Sequence, residues 1–207
     1  MPDCSESGRM NQRRRTRKDL LAAAARLLRD GRTPAMDEVA NEALVSRATA
    51  YRYFPSIEAL LVEAPLDGEA PCPGAVFAGD ASTDPAERVD RAEAVLHDMC
   101  YRNEAQLRAV LARSLERTRK GRGADGIPIR QNRRTDLIAA ALAPARDRFT
   151  DAAYEKLSAA LALIFGVESM IVFSDILGLD ATTARDIKSW AARALVHVAM
   201  EESDAPR

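Results

Sequence analysis

The sequence predicts an all-α protein, with a small N-terminal domain joined to a larger helical one. Three observations carry that expectation. Leu, Ala, Val and Ile recur at 3.6-residue spacing along much of the 207-residue chain, the period of a helix that buries one face. Aromatic residues make up only 5 % and Gly and Pro are sparse, a composition that suits helices better than a β-sandwich. Finally, a segment rich in Pro, Gly, Ala and Asp runs from Pro65 to Asp84 and separates short amphipathic patterns from longer apolar stripes.

Residues 1–12 have no apolar period and are expected to form a disordered basic arm. No apolar segment stands behind the arginines, so no signal peptide is expected. Leu20, Leu21, Ala23, Ala24, Leu27 and Leu28 then share one face, and Asp30-Gly31-Arg32 stops the pattern, which predicts a first helix over roughly Arg13 to Arg29. A second, short helix follows Pro34, turning Met36, Val39, Ala40 and Ala43 inward, with Asp37 and Glu38 in its first turn, where carboxylates favour the helix dipole. Leu44 and Val45 break it. Ser46 caps a third helix that presents Ala50 and Phe54 inward and leaves Arg47, Thr49, Tyr51, Arg52 and Tyr53 elsewhere. Pro55 stops that helix and Ser56 caps a fourth, which is expected to end early.

Two helices of about two turns cannot bury enough alone, so the first helix must supply a third wall. The result is a helix-turn-helix over residues 13–64, in which the second helix of the pair can enter a DNA major groove. Arg47 can offer a fork of donors to guanine, Thr49 can meet a thymine methyl or a phosphate, and Tyr51 and Tyr53 can donate to phosphate oxygens. The charge distribution agrees. From Arg9 to Arg32 nine Arg or Lys face two Asp, a net of +7, whereas from Pro65 onward 19 basic and 22 acidic residues leave −3. A basic end on a mildly acidic body is what a chain that meets a polyanion at one end requires.

The run from "TRKDLLAAAARLLRDG" through "MDEVANEALVSRATAYRYFPSIEALL" closely resembles the DNA-binding domain of the TetR family of bacterial transcriptional regulators, and "VSRATAYRYFPS" is its most diagnostic part. The resemblance implies a homodimer that binds a palindromic operator on double-stranded DNA and carries a variable helical C-terminal domain over residues 65–207 for dimerisation and a small effector. It places Ser46, Arg47, Ala48, Thr49, Tyr51 and Tyr53 toward DNA, with Arg14, Arg15, Arg17 and Lys18 of the basic segment reaching phosphates or the minor groove; Arg52, on the same short helix, is a further candidate DNA contact. Three departures stand out. Leu44 replaces the usual turn Gly, and a non-Gly residue at positive φ costs on the order of 1 kcal/mol. The usual Thr cap of the second helix falls at Ala35, leaving Thr33. Ile57 stands where a Lys commonly grips a phosphate.

Beyond Asp84, Pro85 at a helix start leads a stripe of Val89, Ala92, Leu96, Met99 and Cys100. Another helix passes through Leu107, Val110, Leu111 and Leu115, and Gly121, Gly123, Gly126 and Pro128 mark a loop. A helix over about Thr135 to Ala143 precedes Pro144. From Leu157 to Leu179 the chain is apolar almost all round, which requires cover on several sides; Glu168 and Asp175 argue against a membrane span. Ile187, Trp190, Ala191, Ala194, Leu195 and Val198 form the last stripe. Leu157, Leu161, Ile164, Glu168, Ile171, Trp190 and Ala194 are therefore the expected dimer interface, a four-helix bundle across a two-fold axis.

His97 and Cys100 lie one turn apart, expected as a surface His beside a core Cys, and no third metal ligand stands near them. Three cysteines, Cys4, Cys72 and Cys100, suggest neither a disulfide framework nor a zinc site. No phosphate loop or nucleophile–base motif appears, so neither an enzyme nor a cofactor is expected. The expected function is a cytoplasmic transcriptional regulator, a repressor released by a small molecule, with no membrane association. A ligand-independent DNA-organising protein and a helical interaction protein with a vestigial helix-turn-helix are the alternatives. The effector, its binding residues and the operator sequence are not encoded in any motif of the chain.

Overall fold

The computed structural model describes residues 4–119 and 132–204. Among the described residues the secondary structure is helical throughout, as expected. The chain divides into two compact units, Met1–Glu69 with Ala105–Gln131 and Ala70–Glu104 with Asn132–Arg207. The boundary thus falls after Glu69, five residues beyond the expected one, and a later helix, α7 (Glu104–Arg119), groups almost wholly with the first unit.

The first unit is built on α1 (Cys4–Arg29), α2 (Met36–Glu42), α3 (Arg47–Tyr53) and α4 (Ile57–Glu69). The expected disordered arm over 1–12 is helical from Cys4, so α1 starts nine residues before Arg13; residues 1–3 lie outside those described. Its buried face carries Leu20, Leu21, Ala23, Ala24 and Leu27. These pack with Met36, Val39 and Ala40 of α2, Ala50, Tyr53 and Phe54 of α3 and its cap, and Leu60 and Ala64 of α4 in one core. Fully burying the Leu, Met, Val and Phe side chains among them contributes roughly 1.5–3 kcal/mol each, and no pair of these short helices could supply that alone.

The caps follow the sequence with one exception. Ser46 Oγ accepts from Thr49 N at 3.1 Å and Ser56 Oγ from Ala59 N at 3.2 Å. At α2 the cap residue is Ala35, which has no side-chain acceptor, so only the return half of a capping box forms: Ala35 N donates to Glu38 Oε2 at 2.8 Å. Thr33 does not supply the cap. The turn between α2 and α3 places Leu44 at φ 55 with 93 % of its surface exposed. No packing holds that side chain, so the left-handed backbone strain is uncompensated.

Beyond Ser56, α4 does not end early. It continues through the exposed Pro65 to Glu69, with Glu63, Ala64 and Leu66 buried around it. Proline removes one backbone donor, and burial of the residues around it outweighs that loss.

The second unit holds α5 (Pro73–Val76), α6 (Pro85–Arg102), α8 (Arg133–Leu142), a 3-10 segment over Ala143–Arg148, α9 (Asp151–Ile164), α10 (Val167–Ile171), a π turn over Val172–Ile176, and α11 (Ala181–Asp204). Asp84 caps α6, accepting from Ala86 N at 3.0 Å, with Pro85 at the first helical position as expected. The apolar run from Leu157 is broken at Phe165–Gly166. Gly166 has φ 108, and a Cβ there would lie 2.8 Å from an Arg134 guanidinium nitrogen. That guanidinium donates to Ala162 O at 2.8 Å and to Glu168 Oε2 at 2.6 Å, closing the break. The predicted loop around Gly121, Gly123, Gly126 and Pro128 lies outside the described residues. No single described helix is long and apolar enough to cross a membrane; only the bent pair Asp151–Ile164 and Val167–Ile176, with 46° between its parts, reaches that composition.

α6 and α11 pack against each other along a seam that is not purely apolar. Glu93 and Lys188 are buried and form a 2.6 Å ion pair. Arg185 joins it, 3.4 Å from Glu93 and 2.7 Å from Asp90, and Arg193 reaches Asp90 at 2.8 Å. His97, expected at the surface, is only 4 % exposed, because its position one turn beyond Glu93 faces the same seam. Burial, assisted by the Lys188 charge, depresses the His97 pKa to about 4. Burial likewise pushes the Cys100 thiol up to about 11, so it is an inert core thiol. Among the described residues no group of three or more metal-ligating side chains comes together.

Three expectations can be measured. Glu63→Ala leaves the buried Arg17 guanidinium without its carboxylate and should destabilise the protein by about 3–5 kcal/mol in urea unfolding. Leu44→Gly relieves the left-handed strain and should stabilise by up to about 1 kcal/mol in the same assay. His97 binds its proton more weakly folded than unfolded. Its contribution is therefore present above its ordinary pKa of 6.5 and lost as pH falls toward about 4. Compared with His97→Phe, wild type should lose up to about 3 kcal/mol over that window.

Candidate nucleic-acid interface

The best-built polar surface of the first unit is the outer side of α3. Ala50, Tyr53 and Phe54 point into the core, so the remaining positions of this two-turn helix must face away from it. Ser46, Arg47, Ala48, Tyr51 and Arg52 are exposed and Thr49 is half-buried. Ser46 and Thr49 hydroxyls lie 2.9 Å apart, which orients both at the start of the helix.

Arg47 is organised before any ligand is present. Its guanidinium lies 5.6 Å from the Tyr51 ring centroid and 3.7 Å from the Asp37 carboxylate. Its pKa is raised by the Tyr51 contact first and by Asp37 second. Asp37 thus has a local role that sequence reasoning missed, since its place in the first turn of α2 pointed only to the helix dipole. A carboxylate ten residues before an arginine is a weak signal until the turn brings α2 and α3 together.

Two expected DNA contacts belong to the core instead. Tyr53 is 2 % exposed. It follows Ala50 by three positions and so shares its inward face. Arg17 is also 2 % exposed. One of its guanidinium nitrogens lies 2.7 and 2.6 Å from the two Glu63 oxygens, and the guanidinium carbon lies 4.3 Å from the Phe54 ring centroid. This contact ties α1 to α4 and to the residue that ends α3. Arg14, Arg15 and Lys18 are exposed on α1. Ile57, in place of a basic residue, is half-buried against the first unit's core.

The expected dimer residues divide similarly. Leu157 and Leu161 are buried within the second unit, whose α9 packs against α11. Glu168 is engaged by Arg134 within the same unit. Ile164 and Ile171 are half-buried, while Ala194 is exposed and Trp190 is 73 % exposed. Sequence periodicity missed Leu163, 78 % exposed at the end of α9, because an all-round apolar run does not say which side is covered.

Residues 20–64 match the family model of bacterial regulatory proteins, tetR family. The match takes in most of the apolar face of α1, all of α2 and α3 and the first part of α4, which are the elements that form the core around the exposed side of α3. No curated protein and no solved structure matches the chain. The helix-turn-helix geometry and the family match coincide on the same residues, so this N-terminal part of the chain is similar to the DNA-binding region of bacterial regulatory proteins of the tetR family.

Proposed function

We propose that the protein is a homodimeric repressor, working in the cytoplasm, that leaves a palindromic operator when a small molecule binds its second unit. The observation that carries this reading is the outer side of α3, polar and exposed on a core that fixes the helix on its other side. In this reading Arg47 makes a bidentate contact to guanine, Thr49 and Ala48 meet a thymine methyl, and Ser46, Tyr51 and Arg52 hold phosphates. Arg14, Arg15 and Lys18 add phosphate contacts that carry no sequence information. They take on a larger share because Ile57 offers no charge at the start of α4.

Dimerisation uses the exposed stripe Ile187, Trp190, Ala194 and Val198 of α11 with Leu163 of α9, flanked by Ile164. A stripe spaced three and four residues apart, and exposed in a single chain, suits pairing with its copy across a two-fold axis. Two heads then meet half-sites one helical turn apart. An effector that binds better to the form with unsuitable head spacing withdraws the dimer from DNA by population shift. The chemistry is recognition only, with no catalytic step and no cofactor.

Selection from a random duplex pool should give a preferred palindrome for wild type. Arg47→Ala should relax one position in each half-site and cost about 1–3 kcal/mol; an unchanged preferred sequence would remove Arg47 from base reading. Trp190→Arg places a charge at the centre of the proposed interface and should yield monomers in light scattering. Wild type that is monomeric at micromolar concentration would contradict the dimer.

A further inference from the structure

The carboxylates of α2 serve different partners. Glu38 returns to the start of its own helix, where it accepts from Ala35 N at 2.8 Å, and it also pairs with Arg32. Glu42 reaches back to Arg26 of α1 at 3.0 Å. Asp37 instead crosses to α3, with its Oδ2 3.7 Å from Arg47 Nη1. Some 63 % of the Arg47 side chain and 57 % of the Asp37 side chain are open to solvent, and a pair this exposed adds little to stability. Its place on the candidate reading helix gives it another use.

Arg47 opens α3 on its exposed side, and an arginine there has much rotamer freedom. On a helix that faces a groove, such a side chain has two competing uses. A bidentate contact to guanine specifies sequence, whereas a contact to a phosphate is indifferent to it. Two groups bear on that choice, the Tyr51 ring, with its centroid 5.6 Å from the guanidinium carbon, and the Asp37 carboxylate. At 3.7 Å the carboxylate lies beyond hydrogen-bonding distance. It therefore attracts the guanidinium without occupying a donor, and the fork stays available to a base. The same negative charge offsets that of Arg47 and repels phosphate. Docking into a groove displaces water from the pair, which strengthens the attraction between its members.

We propose that Asp37 is a positioning residue that sets DNA specificity: it holds the Arg47 guanidinium to base reading and away from phosphates, sharpening recognition at one base pair of each half-site while lowering affinity for DNA of any sequence. Asp37 itself touches no base in this account and acts through Arg47. The inference rests on the DNA-binding reading given above, in which Arg47 meets guanine. It deepens that reading by separating two quantities that a basic surface alone would raise together, affinity and discrimination.

The test repeats the pool selection with full-length wild type, Asp37→Asn, Arg47→Ala and the double variant, and titrates each with the selected palindrome and with a duplex of scrambled sequence. Asp37→Asn should bind the scrambled duplex about two- to fivefold more tightly. It should also lose about three- to tenfold of its discrimination at the base pair that Arg47 reads. In the Arg47→Ala background the same change should alter discrimination at no position, because the group it acts through is gone. Asp37→Glu, which keeps the carboxylate, should restore most of what Asp37→Asn loses. Full discrimination in Asp37→Asn overturns the proposal, as does a weakening of both duplexes by one factor, the result that a merely structural role in α2 predicts. Loss of discrimination that persists without Arg47 overturns it too, since Asp37 would then read a base directly. All three results leave the DNA-binding reading standing, whereas a wild type that selects no preferred sequence removes that reading and this inference together.

Discussion

Arg17 places its guanidinium 4.3 Å from the centroid of Phe54 and 2.6 Å from the Glu63 carboxylate, so α1, the end of α3 and α4 meet at one buried cation. Removing such a charge from water is costly, and a single well-made ion pair repays it only with good geometry. Here the carboxylate and the aromatic face act on the same group. The consequence for α3 is rotational. With Phe54 held at its C-terminus, Ser46 capping its N-terminus and Ala50 and Tyr53 in the core, a seven-residue helix has no freedom to present another face. Every side chain of α3 and its cap that the proposed function assigns to DNA depends on that orientation.

Much of this was legible in the sequence because it depends on local rules. The 3.6-residue period located the buried face of α1, the caps at Ser46, Ser56 and Asp84 fall where hydroxyl or carboxylate precedes a helical pattern, and Leu44 sits at the positive φ that the turn requires. What failed depends on partners distant in sequence. Arg17 belonged by type and neighbourhood to the basic segment, and only Glu63, 46 residues later, takes it into the core. Tyr53 has a polar tip, yet its register with Ala50 buries it. Pro65 signalled an ending that the burial of Glu63, Ala64 and Leu66 overrides. Leu157 and Leu161 could not be told from Leu163 by composition, since a run apolar on all sides contains no phase information.

The second unit illustrates the same limit with charges. Asp90, Glu93, His97, Arg185 and Lys188 look in sequence like solvated positions on two amphipathic helices, and the packing of α6 on α11 converts them into a connected polar seam. Its outer positions are satisfied by exposed or half-exposed arginines, while its inner positions rely on one another. A seam of this kind gives α11 a defined register against α6. The opposite side of α11 carries Trp190, which nothing in the chain's own unit covers. One helix therefore carries the polar seam on one side and the exposed Trp190 on the other.

The central claim is that this fold presents a positively charged, groove-reading helix to DNA, and salt dependence tests it most directly. A fluorescent duplex carrying the selected palindrome, titrated with the full-length protein at several salt concentrations, reports the number of phosphates neutralised. Arg52, Arg14, Arg15 and Lys18 from two subunits predict a fall in log K against log salt with a slope of about −7, since each phosphate contact contributes about 0.9. Affinity that is absent, or that does not change with salt, would contradict the account and leave a helical interaction protein whose helix-turn-helix no longer meets DNA.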